Sequence, residues 1–319
     1  MRISPVHAEE LDLFVEAGSP EHREEVVRYL QSMFAAGSMR PEWCFVAQEE
    51  DRPLGRVAFW TLPGMEEPFA LVLLDVPWVG DYMGVGAPLL EDALEEARVL
   101  GAKEIEHVLD APPMRPQFQN RPEERVELLR SVGFAFRRET VRFELQGGDP
   151  NVESGRLSFR TLEEVGNEAF VDAMRRVSEG TLDREIREER ERLGPREAAR
   201  EFFEDARRVK HEPSWWRLAY SKPGGKLVGL VMPAQPPDFL TVFYVGVVPE
   251  MRGRGYVDDL LATSTATLLE ARAGDVEARP LRADTDVANT PMAAAFERSG
   301  WRRFAGRREY SVDLTSDRK

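Results

Sequence analysis

Two arginines alternate with two glycines immediately after a long apolar run, and these residue types are suited to binding a phosphate. Phe239–Val248 is apolar, β-branched and aromatic, Pro249 ends it, and the segment 252–255 reads Arg-Gly-Arg-Gly. Glycine lets an anion approach the main chain closely, and successive backbone N–H groups in such a turn can bind it. The arginines add formal positive charge. The chemistry that this segment favours is therefore the binding of a phosphate group.

A strand, a turn and a helix are expected to position this segment. The apolar run predicts a strand that is buried on both faces, and proline ends it because it has no N–H to donate to a sheet. Apolar residues at helical spacing from Val257 to Leu269 predict a helix that ends at Gly274. The N-terminus of such a helix attracts anions. A phosphate site follows from this arrangement, but glycines in a strand-to-helix turn are equally consistent with a need for backbone freedom alone.

The longer arrangement resembles the acyl-CoA pyrophosphate loop of the GNAT acetyltransferases. That loop reads Gln/Arg-x-x-Gly-x-Gly/Ala, and residues 252–257 follow it except at the last place, where Val257 stands for the small residue. The resemblance implies acetyl-CoA as the cosubstrate and no metal. It also implies that the end of the strand contacts the cofactor and that a strand N–H stabilises an oxyanion.

A second segment resembles the same family. Residues 289–301 match the family pattern Asn-x-x-Ala/Met-x-x-x-Tyr-x-x-x-Gly-Phe closely, except that Phe296 stands in the tyrosine position. Many members use that tyrosine to protonate the departing thiolate, which phenylalanine cannot do. Asn289 is implied to lie near the pantetheine arm, and it also suits a helix cap. The cofactor-binding residues implied are Val245, Gly246, Val247, Arg252, Gly253, Arg254, Gly255, Tyr256, Val257 and Asn289.

The catalytic groups are harder to assign. Some relatives carry a glutamate on the central strand, but the matching position is near Thr241, which cannot act as a base. Tyr244 is the only titratable side chain within that strand and is the candidate catalytic residue, although an aromatic residue on a buried strand usually belongs to the core. Asp284 and Asp286, at the end of the next strand, are carboxylates near the expected mouth of the site. They are at least as well suited to stabilising a loop by bonding their own backbone.

The two halves of the chain repeat each other. Asp81 lies 252 − 81 = 171 residues before Arg252, and this register aligns Gly84 with Gly255. Farther on, the offset changes to 300 − 133 = 167 residues. A repeat over both halves is typical of a duplicated unit. The pattern resembles tandem GNAT proteins, which implies an α/β fold (an α+β mixed sheet) of two tandem GNAT acyl-CoA N-acyltransferase domains.

We expect the domains to cover residues 1–146 and 156–319, joined by a polar, glycine-rich linker at residues 147–155. The first copy has Asp81 in the place of Arg252, and a carboxylate beside a pyrophosphate is a like-charge contact. We therefore predict that only the second domain binds acetyl-CoA and that the first is mainly structural. Three further predictions concern local structure: a helix starting near Pro88, a single helix over 163–178 and a strand pair within 301–314.

Composition argues against several other classes of function. The 319 residues are 42% hydrophobic and 31% charged, and the formal net charge of −14 does not suit a nucleic-acid-binding surface. No apolar run approaches the roughly 20 residues of a membrane helix. The four histidines lack metal-ligand spacing, and Cys44 is the sole cysteine, in no nucleophilic pattern. We expect a cytoplasmic protein, either a monomer with two similar halves or a homodimer.

These observations lead to one principal hypothesis and one alternative. The principal hypothesis is an acetyl-CoA-dependent N-acetyltransferase in which an amine of a small-molecule acceptor attacks the thioester directly, without an acyl-enzyme. The alternative is a non-catalytic CoA-binding or regulatory protein, which Phe296 and the missing base favour.

Overall fold

The structure, a computed structural model, describes residues 1–50, 52–146, 155–276 and 278–315. It forms two compact units: Met1–Arg138 with the segment from Arg307 onward, and Glu139–Gly306. These bounds differ from the predicted ranges 1–146 and 156–319, because two long strands near residues 138 and 306 each contribute to both units. The predicted linker lies outside the described residues, except for Gly155.

The first part of the chain alternates strands and helices. In chain order they are β1 (Arg2–Pro5), α1 (Leu11–Glu16), α2 (Arg23–Ala35), β2 (Cys44–Glu49), β3 (Arg52–Trp60), β4 (Ala70–Asp75), α3 (Tyr82–Val99), β5 (Glu104–Ala111), α4 (Pro122–Ser131) and β6 (Ala135–Leu145).

The second part of the chain repeats this alternation. Its elements are β7 (Leu157–Thr161), α5 (Leu162–Val165), α6 (Asn167–Val177), α7 (Arg184–Leu193), α8 (Pro195–Arg208), β8 (Arg217–Ser221), β9 (Leu227–Ala234), β10 (Leu240–Val247), α9 (Tyr256–Ala273), β11 (Leu281–Asp286), α10 (Thr290–Arg298) and β12 (Arg302–Asp313). None of the helices in the described part of the chain is long and apolar enough to span a membrane.

The sheet of the first unit has the strand order β1-β2-β3-β4-β5, followed by the end of β12. The pairs from β1 to β4 are antiparallel, whereas β4 and β5 are parallel. Successive residues of a strand face opposite sides. Phe45 therefore joins the core under α3 and α4, while Cys44 and Val46 join the core under α1 and α2. The unit thus has helices on both faces of its sheet.

The second unit has the strand order β7-β8-β9-β10-β11, and β6 follows β11. Here β10 and β11 form the parallel pair, and the other pairs are antiparallel. Helices α6 and α8 bury Phe170 and Phe203 in one core, and α9 and α10 bury Leu268 and Phe296 in another. In each unit, therefore, one parallel pair of strands follows a run of antiparallel pairs.

Three local predictions were wrong. Helix α3 begins at Tyr82 and contains Pro88, because Asp81 caps it earlier than the proline would require. The predicted helix over 163–178 is divided into α5 and α6 at Gly166, whose φ of 79° is incompatible with a continuous right-handed helix. The predicted strand pair within 301–314 is one strand of 12 residues, β12, and Gly306 in its middle is not a turn.

Candidate functional site

The parallel strands of the second unit part after a short region of pairing. Strand β10 pairs with β11 only at Leu240–Leu281 and Thr241–Arg282. On its other side, the register of β10 against β9 shifts between Val242 and Tyr244. Such a bulge bends a strand and increases its twist. The prediction of a strand buried on both faces is correct only for its first half, since residues 243–245 are half-buried.

The divergence of β10 and β11 leaves main-chain groups at an open edge. The N–H of Val248 donates to Val228 O in β9, at 2.9 Å. Successive residues in a strand direct their N–H and C=O groups to opposite edges, so Gly246 faces β9 and Val245 and Val247 face the other edge. In the described part of the second unit, β11 does not pair with Val245 or Val247. We call this edge the β10 cleft.

Of the three predicted strand residues, Val245 and Val247 contribute main-chain groups to the β10 cleft, whereas Gly246 has another local role. A Cβ atom at Gly246 would lie 2.1 Å from the Val177 side chain. Glycine is needed there because α6 packs directly on the strand.

The loop after β10 presents a row of hydrogen-bond donors. Gly253 and Gly255 have φ angles of 74° and 73°, in the left-handed region, and α9 begins at Tyr256. In the described part of the chain, the N–H groups of residues 253–256 bond no acceptor, and Val257 lies in the first helical turn, where N–H groups lack helical partners. Because only residues 248–252 separate β10 from these donors, the donors lie near the carboxyl end of the β10 cleft.

The Arg252 side chain is used within the protein. Its Nε donates to Val247 O at 3.0 Å, and its Nη1 donates to Gly180 O at 3.3 Å. Its Nη2 donates to Val177 O at 2.8 Å and to Glu179 O at 2.7 Å. The guanidinium therefore fastens the loop to the end of α6. This arrangement differs from the expectation that Arg252 offers a free positive charge to a phosphate.

The Arg254 side chain is exposed, and it forms no ion pair with any residue that the structure describes. It lies between the two glycines in the loop. The sequence pattern offered both Arg252 and Arg254 as positive charges for a phosphate. In the described structure, Arg254 is the one whose side chain is not engaged within the protein.

Arg156, which the sequence analysis did not identify, also shapes this loop. Its Nη1 donates to Arg254 O at 3.1 Å, its Nη2 donates to Gly255 O at 3.3 Å, and it forms an ion pair with Asp259. Its guanidinium lies over the Tyr256 ring at 4.9 Å. The N–H and C=O of a trans peptide point in opposite directions. By holding these two carbonyls, Arg156 directs the N–H groups of Gly255 and Tyr256 away from itself.

Asn289 and Asp286 organise the turn between β11 and α10. Asn289 caps α10, with its Oδ1 accepting the Met292 N–H at 3.4 Å. Asp286 is buried, and its Oδ1 accepts the Ala288 N–H at 2.8 Å while its Oδ2 accepts the Arg184 N–H at 3.2 Å. The loop-stabilising interpretation of Asp286 is confirmed. Asp284 instead forms an ion pair with Arg142 at 3.1 Å.

Tyr244 lies beside the ring of Phe202, with the ring centroids 5.0 Å apart. Burial raises the pKa of Tyr244 most, and the charge of Asp183 raises it further, against the opposing charges of Arg252 and Arg190. The phenol is therefore protonated at neutral pH, so it can donate a proton but cannot act as a base.

Two other residues considered in the sequence belong to cores. Phe296 is 1% exposed and stacks on Phe143, with centroids 5.1 Å apart. Cys44 is fully buried in the first unit, and burial raises the pKa of its thiol to about 12. Neither side chain is available for acid, base or nucleophilic chemistry at neutral pH. The described residues include no group of three or more histidine, cysteine or acidic side chains placed to hold a metal ion.

The first unit contains the same strand divergence, but its own side chains fill it. Strand β4 pairs with β5 only at Ala70–Glu106 and Leu71–His107. Beyond this point Gln117 Oε1 accepts the Leu73 N–H at 2.6 Å, and Arg125 Nη1 donates to Leu74 O at 2.8 Å. Gln117 belongs to a connector of ten residues (112–121) between β5 and α4, whereas residues 287–289 suffice between β11 and α10. The edge equivalent to the β10 cleft is therefore occupied.

The helix N-terminus of the first unit is also occupied by the protein itself. Asp81 caps α3, and its carboxylate accepts the Gly84 N–H at 2.9 Å. Gly84 and Gly86 lie within α3, and a Cβ at Gly86 would come within 2.6 Å of Leu128 on α4. Both glycines are helical, and Gly86 allows close helix packing. The Asp81 carboxylate therefore occupies the position at this helix N-terminus where an anionic ligand would otherwise bind.

A mixed sheet whose parallel pair parts beside a helix N-terminus, present twice in one chain, defines a tandem acyl-CoA N-acyltransferase fold. Residues 181–301 match the profile of the acetyltransferase (GNAT) family. A GCN5-related N-acetyltransferase from Sphaerobacter thermophilus has a similar structure, with a TM-score of 0.62, 14% identity, and coverage of 98% of this chain and 95% of that one.

A tandem GNAT protein from the clavulanic acid biosynthesis pathway is similar along its whole length, with a TM-score of 0.54, 16% identity, and 99% of both chains covered. None of the curated proteins matches the sequence. Residues 181–301 thus match the acetyltransferase (GNAT) family model, and the chain has the α/β fold of two tandem GNAT domains. The predicted resemblance to this family and the predicted fold class are confirmed.

Proposed function

We propose that the second unit is an acetyl-CoA-dependent N-acetyltransferase that acts on an amine of a small-molecule acceptor. The observation that carries this proposal is the β10 cleft, a strand edge that β11 leaves unpaired and that leads through a short turn into a loop of unbonded N–H groups and the N-terminus of α9. Acetyl-CoA would supply an activated thioester carbonyl. Its elongated, amide-containing arm and its pyrophosphate match an open strand edge and an anion-binding loop.

Different residues of the second unit would bind different parts of this cosubstrate. The N–H groups of residues 253–257 would bind the pyrophosphate, and Arg254 would add a positive charge. Main-chain groups of Val245 and Val247 would bond the amides of the arm, with Asn289 at the neighbouring turn. Arg252 and Arg156 act indirectly, because their side chains hold the loop in place through bonds to the protein's own carbonyl groups.

The chemistry requires positioning and charge stabilisation more than a strong base. A neutral amine forms a bond to the thioester carbonyl carbon, the C–S bond breaks, the nitrogen loses a proton to water, and the thiolate takes a proton. An N–H of the β10 cleft would stabilise the oxyanion, and the proximity of the two substrates would provide much of the acceleration. Tyr244 is our candidate proton donor because its phenol is protonated at neutral pH.

We expect Tyr244→Phe to lower kcat at least about tenfold with little change in KM for acetyl-CoA, because general acids typically contribute about 10²-fold or more. Steady-state kinetics on the purified full chain would measure this change. A kcat within about twofold of the wild type would remove Tyr244 from the mechanism and leave water to protonate the thiolate.

The proposed activity is tested by measuring the release of free CoA from acetyl-CoA across polyamines, aminoglycosides, amino acids and small thiol-bearing amines. Calorimetry on the same protein should show one acetyl-CoA bound per chain. Binding without turnover on any amine would favour the non-catalytic CoA-binding alternative, which the burial of Phe296 supports because that position offers no acid. Absence of binding would refute both functions.

A further inference from the structure

The first unit contains a pocket of about 320 Å³ that none of the features above uses. Its walls come from the turn after α1, the start of α2, strand β3, the end of β4 and the connector 112–121. The residues that matter here are Gly18, His22, Arg56, Asp75, Trp78 and Gln117. The volume is at the lower end of the range for small-molecule sites, which suits a ligand of metabolite size.

Arg56 places a buried positive charge at this pocket. It is 5% exposed, and its Nη1 donates to Phe14 O at 3.2 Å and to Val15 O at 3.3 Å. Its Nε has no hydrogen-bond partner among the described residues, and no described carboxylate lies within ion-pair distance of it. Burial lowers the pKa of Arg56. A buried guanidinium without a counter-ion is costly, and a bound anion would relieve that cost.

The charge of the neighbouring Asp75 opposes the effect of burial on Arg56 only in part, because Asp75 lies beyond ion-pair distance and other groups engage its carboxylate. Asp75 accepts the Trp78 Nε1–H at 2.7 Å and the Ser19 N–H at 3.3 Å, and Arg125 Nη2 lies 3.9 Å from it. The Asp75 carboxylate thus already serves an indole, a backbone N–H and the Arg125 guanidinium. Glu21, the other carboxylate lining the pocket, is exposed, so water screens its charge.

We propose that this pocket binds a small carboxylate, with its carboxyl group on the Arg56 guanidinium. Gln117 provides a further donor, because Leu73 engages its Oε1 and leaves its amide nitrogen available. Val26, Leu54 and Trp78 supply apolar surface for the hydrocarbon part of the ligand. Charge-assisted hydrogen bonds to a carboxylate are the stronger kind, and arginine is well suited to form them.

The backbone around Arg56 fixes the position of the guanidinium. A Cβ at Gly18 would lie 2.2 Å from Arg56 Cζ and from Nη2. The residue at position 18 must therefore be glycine for the guanidinium to occupy its observed place. This provides a variant, Gly18→Ala, that displaces the charged group without removing it.

Calorimetric titration of the full chain with sodium acetate, succinate and benzoate, against sodium chloride at equal ionic strength, tests the proposal. We expect saturable binding of at least one carboxylate, with one site per chain. Arg56→Met and Gly18→Ala should each weaken it at least about tenfold. Arg130→Met, which removes an exposed arginine from the same unit, should leave the affinity within about twofold.

The absence of saturable binding for all three carboxylates, or equal binding by chloride, would overturn the proposal. Equal affinity in a folded Arg56→Met variant would also overturn it. If that variant does not fold, the indole N–H resonance of Trp78 in the wild type decides, since this group bonds Asp75 at the wall of the pocket. A shift that saturates during the titration supports the site, and an unchanged resonance refutes it.

Discussion

The two units have the same opening in their sheets, but it is filled by side chains in the first unit and left open in the second. In each unit one parallel pair of strands holds together for two residue pairs and then parts. The first unit fills the opening with Gln117 and Arg125. The second leaves the edge at Val245 and Val247 unpaired by β11. The fold therefore creates the opening, and the connector after the second parallel strand decides whether it can take a ligand.

The helix that follows each opening shows the same difference. Asp81 supplies a carboxylate to the N-terminus of α3, where a negative charge complements the helix dipole. Gly253 and Gly255 instead leave the N–H groups before α9 without an internal acceptor. Backbone N–H groups need hydrogen-bond partners, whether these come from the protein, from water or from a ligand. In the first unit, Asp81 provides a partner for an N–H group at the start of α3. In the second, water or a ligand must bond the N–H groups before α9.

The largest effect is expected from a side chain in the loop of the second unit. Gly255→Val should abolish measurable acetyl-CoA binding, because a β-branched residue is strained at a φ of 73° and would fill space beside the N–H donors. Calorimetry with acetyl-CoA measures the effect. The matched change in the first unit, Gly84→Ala, should leave the affinity within about twofold. A comparable loss in both variants would show that the two loops are equivalent.

The point at which the strands part is buried in the first unit, and this predicts an acid sensitivity. His107 is fully buried at that point, and burial lowers its pKa from 6.5 to about 4. Between these values the unfolded chain binds a proton that the folded unit does not. The stability contributed by neutral His107 is therefore complete above pH 6.5 and is lost as the pH falls towards 4.

His107→Gln removes this titration. As the pH falls from 7 to 4, the free energy of unfolding of the wild type should fall by roughly 3 kcal/mol relative to that of the variant. Urea denaturation at several pH values, followed with a probe in the first unit, measures it. A difference that is independent of pH would show that His107 is accessible to protons in the folded unit.

A smaller effect is expected at Arg252, and it should be indirect. Arg252→Ala removes the hydrogen bonds that fasten the loop to α6, and we expect acetyl-CoA binding to weaken about tenfold, or by about 1.4 kcal/mol. Arg252→Lys should not restore it, because an ammonium group cannot reproduce the planar fork of a guanidinium.

Recovery of affinity in Arg252→Lys would instead indicate direct charge on the phosphate. The corresponding change in the first unit, Asp81→Arg, should leave turnover nearly intact, because Gln117 and Arg125 still fill that unit's opening. A second equivalent acetyl-CoA site per chain would contradict the difference between the units.

No effect on turnover is expected from Cys44→Ala. The thiol is buried and its pKa is about 12, so almost no thiolate exists at neutral pH. Initial-rate kinetics should give intersecting lines, as expected for direct transfer within a ternary complex. An acetylated Cys44 detected by mass spectrometry would contradict this prediction.

Local sequence patterns predicted much of the fold because they reflect local physics. The predicted strand over 239–248 and the predicted helix from Val257 to Gly274 agree closely with β10 and α9, since apolar periodicity, a proline after a strand and a glycine after a helix act within one element. The positive φ angles of Gly253 and Gly255 likewise fit their place in the loop pattern.

The orientations of the arginines could not be predicted in the same way. Arg156 reaches a loop about 100 positions away, and Arg252 reaches carbonyls more than 70 positions before it. Residue type records a charge but not its partner. One difference that accompanies the filled opening of the first unit is visible in the sequence. The first copy has 133 − 81 = 52 positions from Asp81 to Gly133, whereas the second has 300 − 252 = 48 positions from Arg252 to Gly300. That excess shows additional chain in the first copy but not what it contacts.

The course of β6 also affects how the protein can be divided experimentally. Residues 140–145 of β6 pair with β11 within the second unit, although they precede the predicted linker. A fragment that begins at residue 156 would lack them and would expose a row of unpaired N–H and C=O groups along β11. Exposed strand edges of this kind promote intermolecular association. Insolubility of such a fragment would therefore reflect a missing neighbour strand, whereas a fragment that begins near residue 135 retains it.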